Sequence, residues 1–126
     1  MIQYTQEGPK PNGRLPVLRV VFYRTMAGSE PVRKWLRELT QVDRKTVGAD
    51  LKTAQYGWPL GMPLIRKLEP GLWEVRSHIS SGVARIIFTV DEGVMILLHG
   101  FVKKSQKISQ EDLETARQRF ADLRQE

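Results

Sequence analysis

The chain has 126 residues, a formal net charge of +6 and no cysteine. That length predicts one domain, since domains cluster at roughly 100–150 residues, with a core large enough to fold without metal or disulfide. The lack of cysteine excludes disulfides, zinc ribbons and thiol catalysis, and two histidines argue against a multi-histidine metal site.

Met1 to Glu7 show no basic segment followed by an apolar one, so no signal peptide is expected. No apolar run nears the roughly 18–20 residues that span a bilayer. The expected location is the cytoplasm, with no membrane partner. A pI near 9.9 points towards a polyanion without specifying one.

Residues 1–16 carry Gly8, Pro9, Pro11, Gly13 and Pro16 without a period, and are expected to form an extended N-terminal segment. Residues 17–126 make the single domain. Val17 to Tyr23 is rich in β-branched and aromatic residues and reads as a strand. A helix starts at Ser29 or Glu30 with Pro31 in its first turn, and Val32, Trp35, Leu36 and Leu39 form one apolar face. A second helix, from near Asp43 to Gly57, buries Val47, Leu51 and Ala54, so the two read as an antiparallel hairpin. Trp35, Trp58 and Trp73 are expected to pack rather than stack on bases.

From residue 64 the period becomes two. Leu64–Leu68, Leu72–His78, Val83–Val90 and Val94–Val102 are expected as strands, joined by hairpin connections at Ser80-Ser81-Gly82 and Asp91-Glu92-Gly93. Ser109 and Asp112 form a loose capping box for a last helix, with Leu113, Ala116, Phe120 and Leu123 on its apolar stripe. The order β-α-α-β-β-β-β-α predicts an α+β fold on a mostly antiparallel twisted sheet, with the helices on one face and the other face open.

A loop over residues 79–82 sets Arg76 directly across from Arg85. A loop over residues 91–93 sets Arg85 across from His99, unless a bulge or a two-residue turn shifts that register. Like charges directly opposite are destabilising by up to about 1 kcal/mol, so two facing arginines call for an anion or a carboxylate. Glu74 and Glu69 are the local carboxylates, and a solvated surface network of Arg76 with Glu74 is the alternative to a bound anion. The last strand runs into Lys103-Lys104-Ser105-Gln106-Lys107. Residues 64–107 hold seven basic against four acidic residues, and residues 108–126 hold three against five. The basic surface is therefore the sheet and its exit loop, not the last helix.

These segments carry a likeness. Lys67-Leu68, Gly71-Leu72-Trp73-Glu74-Val75-Arg76, Ala84-Arg85-Ile86-Ile87-Phe88, and Leu98-His99-Gly100-Phe101-Val102-Lys103-Lys104-Ser105-Gln106-Lys107 together resemble the RelE/ParE toxin superfamily, in its phage-derived HigB-like branch. The likeness covers residues 17–124. It implies a RelE-like fold and the toxin of a type II toxin–antitoxin pair. Such a toxin is a ribosome-dependent endoribonuclease that cleaves mRNA without a cofactor or metal. Its partners would be the ribosome, mRNA and a helix-turn-helix (HigA-like) antitoxin.

By the same likeness Arg76 and Arg85 clamp the scissile phosphate, while Lys103 and Lys104 stabilise the transition state or donate a proton. Lys67 and Lys107 contact the RNA backbone. Glu74 stands where the best-known relatives have a lysine, and no tyrosine follows the exit loop. Proton transfer is therefore open between His78, His99 and Glu74, and the two histidines are counted with the RNA-contacting groups. The alternatives are a ParE-like DNA gyrase inhibitor and a non-catalytic antitoxin-binding relative.

Overall fold

The computed structural model describes residues 3–4, 15–103 and 107–125. It contains β1 (Gln3–Tyr4), β2 (Arg19–Phe22), α1 (Pro31–Glu38), α2 (Gln41–Gly57), β3 (Ile65–Glu69), β4 (Leu72–Ile79), β5 (Gly82–Asp91), β6 (Val94–Lys103) and α3 (Gln110–Leu123). From β2 onwards this is the expected order. Of the N-terminal segment, Gln3–Tyr4 is a short strand on β2, and residues 1–2 and 5–14 lie outside the described residues.

The strands form one sheet in the order β1-β2-β6-β5-β4-β3. β3 to β6 are an antiparallel meander, and β2 joins β6 in parallel. The helices start where side chains satisfy their first amides. Thr40 caps α2 by accepting from the Asp43 amide at 3.2 Å, and Ser109 caps α3 by accepting from the Asp112 amide at 3.1 Å. Pro31 opens α1, where a missing N–H costs nothing.

Both faces of the sheet are covered, which corrects the expectation of one open face. Val32 of α1 and Val47, Leu51 and Ala54 of α2 pack with Val20, Phe22, Val75, Ile86 and Leu97. On the opposite face Leu113, Ala116 and Phe120 of α3 pack with Tyr23, Leu72, Ile87, Leu98 and Phe101. The three tryptophans pack against the α1/α2 core, Trp58 edge-on to Trp73 at 5.2 Å between ring centroids. The near-continuous apolar runs of β5 and β6 signal burial on both faces, since a strand with one wet face alternates.

The first hairpin has the expected register, with Arg76 opposite Arg85. The second differs. Its turn is the two residues Glu92 and Gly93, both at positive φ, which matches the twist of the flanking strands. A bulge then places an extra residue, Leu98, between the partners of Ile87 and Phe88. Each departure shifts the register by one. Arg85 therefore faces Phe101, His99 faces Ile87, and the two shifts together keep His99 on the α3 side.

The bulge also aims Gly100 at α1. A β-carbon there would lie 2.5 Å from Cε3 of Trp35. Gly100→Ala is expected to lower stability by about 1–3 kcal/mol through overpacking, read as a lower urea midpoint. An unchanged midpoint would show that Trp35 can move aside.

Candidate functional site

The α3 side of the meander carries the charged groups in cross-strand rows. One row is Arg66 and Glu74, the next Arg76, Arg85 and Phe101, the next His78, Val83 and Lys103. α3 covers the apolar part of this face and leaves the end near the β4–β5 turn uncovered. There Arg76 is half-buried and His78 exposed. The Arg66 and Lys103 side chains are 34% and 27% exposed.

Glu74 and Arg85 lie beneath this patch, with side chains 0% and 1% exposed. The Glu74 carboxylate sits 2.8 Å from Arg66 and 3.5 Å from Arg85. It thus pairs with both Arg66 and Arg85, one negative charge against two positive ones, and not with Arg76 in a solvated surface network. Burial pulls the Arg85 guanidinium below its usual range, with Arg76 and Arg66 adding to the effect and Glu74 opposing it. Arginine still stays charged at neutral pH. Arg76 differs in being only half-buried and in making no ion pair among the described residues, and its Nε is buried without a hydrogen-bond partner among them. A guanidinium held opposite another arginine, with no ion pair among the described residues, suits an anion site.

The other predicted residues separate. Arg85 is inside, so it reaches a ligand only through the charge it sets beneath Arg76. Lys67 faces the opposite side of the sheet, with its ammonium 5.8 Å from the Trp73 ring centroid. Lys104 lies outside the described residues, and Lys107 is exposed after them. His99 is not across from Arg85. Its Nε2 is 2.8 Å from Oδ1 of Asp112 and its Nδ1 3.4 Å from Arg119. Among the described residues no group of three or more His, Asp or Glu is placed to hold a metal, and no helix is long and apolar enough to cross a membrane.

Three contributors escaped the sequence reading. Arg66 and Asp112 were legible only as a charge and a cap. Asp43 reaches from α2 to the β4–β5 turn, accepting from the Ser80 amide at 3.3 Å and its hydroxyl at 2.8 Å. It ties down the hairpin that carries Arg76 and Arg85.

The two Ser80 bonds, the hydroxyl's first, hold the Asp43 carboxyl below its usual value against the effect of burial. A lowered carboxyl stabilises the fold above its unfolded value of about 3.9, and that stability is lost as pH falls through the folded value. Asp43→Asn should therefore unfold at lower urea than the wild type at pH 7, with the gap closing in acid. A gap constant from pH 7 to below 3 would contradict the assignment.

With this geometry in view, the sequence profile of the family described as "Phage derived protein Gp49-like" matches residues 34–121. The chain belongs to that family. The Gp49-like proteins are RelE/ParE-like toxins, so the superfamily expected from the sequence holds. No curated protein matches the chain. The Gp49-like match runs from α1 into α3 and takes in every described residue of the Arg76 patch.

Proposed function

We propose that this Gp49-like chain is the HigB-like toxin of a type II toxin–antitoxin pair. It acts as a metal-independent endoribonuclease on mRNA in translating ribosomes. The observation that carries the reading is Arg76, a half-buried guanidinium on the basic sheet face near the β4–β5 turn, opposite Arg85 and without an ion pair among the described residues.

In such a cleavage the ribose 2′-oxygen attacks the adjacent phosphorus and loses its proton, and the 5′-oxygen leaves and gains one. Negative charge builds on the non-bridging oxygens between those events. Arg76 offers planar, permanently charged donors to them. Buried Arg85 adds positive potential from below, where low dielectric strengthens it. Lys103 lies on the next row of the same face, and in this reading its ammonium stabilises the phosphorane or protonates the leaving oxygen. Lys107 extends the basic surface towards the RNA backbone, and exposed His78 borders it. A helix-turn-helix (HigA-like) antitoxin is the proposed partner, and the cytoplasm the proposed site of action.

Mapping mRNA 5′ ends after induced expression tests the reading. New ends inside translated frames are expected within minutes of induction. Growth arrest with intact mRNA and an SOS response would overturn it in favour of gyrase. Expression without growth arrest would overturn it in favour of a non-catalytic relative.

A further inference from the structure

We propose that Asp112 positions the Lys103 ammonium for RNA cleavage, and that His99 serves Asp112 as a hydrogen-bond donor instead of touching RNA. The inference rests on the nuclease reading above and deepens it.

Asp112 sits in the first turn of α3, and two hydrogen-bonding side chains and a lysine ammonium converge on its carboxylate. Ser109 Oγ donates to Oδ2 at 2.7 Å, His99 Nε2 meets Oδ1 at 2.8 Å, and Lys103 Nζ lies 3.7 Å from Oδ2. Two of these donors are held by the fold. Ser109 is the N-cap of α3, and its Oγ also accepts the Asp112 amide. His99 follows the β6 bulge, which sets it on the α3 side, and its ring stacks on Phe101 at 5.3 Å between centroids.

Both ring nitrogens of His99 are occupied. The Asp112 carboxylate accepts at Nε2 and Arg119 NH1 donates towards Nδ1 at 3.4 Å, so these two partners favour the tautomer with its proton on Nε2. That Arg119 nitrogen is itself anchored on the Leu98 carbonyl at 2.8 Å. His99 therefore has no ring nitrogen to offer a 2′-hydroxyl or a phosphate. It fixes Asp112 in place.

Lys103 is the long, partly exposed member of the set, at the end of β6. At 3.7 Å the carboxylate confines the ammonium to its own side without enclosing it. An ammonium has three donors, so others remain for an anion. Lys103 also stands one row from Arg76 and Arg85 on the same sheet face. A fixed carboxylate limits the conformations of a flexible side chain, and a misplacement of about 1 Å in a reacting group costs as much as 10²-fold in rate.

A double-mutant cycle on purified toxin and programmed ribosomes tests this, read as the single-turnover cleavage rate and the half-saturating ribosome concentration. Lys103→Ala should slow cleavage about 10²-fold. Asp112→Asn, which keeps the shape of the carboxylate, should slow it about 10–100-fold with the half-saturating concentration little changed. The double variant should be no slower than Lys103→Ala, because positioning has no value once the ammonium is gone. Asp112→Glu should regain part of the rate. His99→Gln, whose amide keeps a donor near the Nε2 position, should recover what His99→Leu loses.

Losses that multiply in the double variant would overturn the proposal, because an independent structural role predicts them. So would a His99→Gln protein as slow as His99→Leu, or an Asp112→Asn protein as fast as the wild type. Thermal unfolding of each variant separates slow cleavage from lost fold, and Asp112→Glu carries the test if Asp112→Asn does not fold. A wild-type chain that cleaves nothing overturns the nuclease reading and this inference together. A wild type that cleaves with an additive cycle overturns this inference alone.

Discussion

Arg76→Ala is expected to slow cleavage of ribosome-bound mRNA by about 10²–10³-fold, the usual cost of removing one preorganised donor to a developing oxyanion. Its stability should not fall. Arg76 makes no ion pair among the described residues and stands directly across from Arg85, so its removal relieves a like-charge contact. Relief of that kind is worth a few tenths to about 1 kcal/mol. The signature is thus opposite in sign on the two axes: lower cleavage, and an equal or higher urea midpoint. Arg76→Lys keeps the charge but loses the planar fork, so it should fall between wild type and alanine. Full cleavage by Arg76→Ala would remove the arginine from the reaction.

Glu74→Ala carries the largest expected effect on stability. It would leave Arg85 buried without the carboxylate 3.5 Å away and take the 2.8 Å partner from Arg66. Breaking a buried pair by removing one member costs about 3–5 kcal/mol, because the remaining charge stays desolvated. Arg85→Ala should cost a similar amount, since it strands the Glu74 charge on one side. Replacing both members with apolar residues of like volume, Glu74→Leu with Arg85→Met, should recover much of the loss. Urea unfolding of the two single variants and the double variant checks this. Single variants as stable as the wild type would show that the pair is solvated.

The burial of that pair changes how Arg85 is to be tested. Loss of growth arrest in Arg85→Ala would follow from lost fold as readily as from lost chemistry. Arg76 and Lys103 are the discriminating positions, because each is partly exposed and its removal leaves no buried charge unpaired. Asp43 and Asp112 work at a different level. Each lies in the first turn of its helix, and each fixes a piece of the sheet that carries the basic groups. Asp43 holds the β4–β5 turn and Asp112 the end of β6.

The residues nearest in sequence were the most legible. Ser109 as a cap, the stripe Val47, Leu51 and Ala54, and the Arg76–Arg85 register all follow from periods and turns within a dozen residues, whereas the Thr40 cap set the start of α2 at Gln41, two residues before the expected Asp43. The superfamily was legible as well, from the run His99 to Lys107 together with the charged strand segments before it, and the family match spans all of these segments. The Arg85–His99 register was not. It needed both the two-residue turn at Glu92-Gly93 and the bulge at Leu98, around which Leu98 packs on the α3 side and Gly100 meets Trp35 of α1, contacts far apart in the chain.

What the sequence by itself determined is the kind and order of elements, the basic balance of the sheet, and the pairing within one hairpin. These depend on φ/ψ preference, capping and hydrophobic period, which act between near neighbours. Only the tertiary structure decided that α3 covers the second face, that β2 lies parallel to β6, and that Glu74 pairs with Arg66 and Arg85, leaving Arg76 without an ion pair among the described residues. Those outcomes turn on which side chains lose water together across dozens of residues. The energy of a buried charge belongs to its final surroundings, not to its place in the chain.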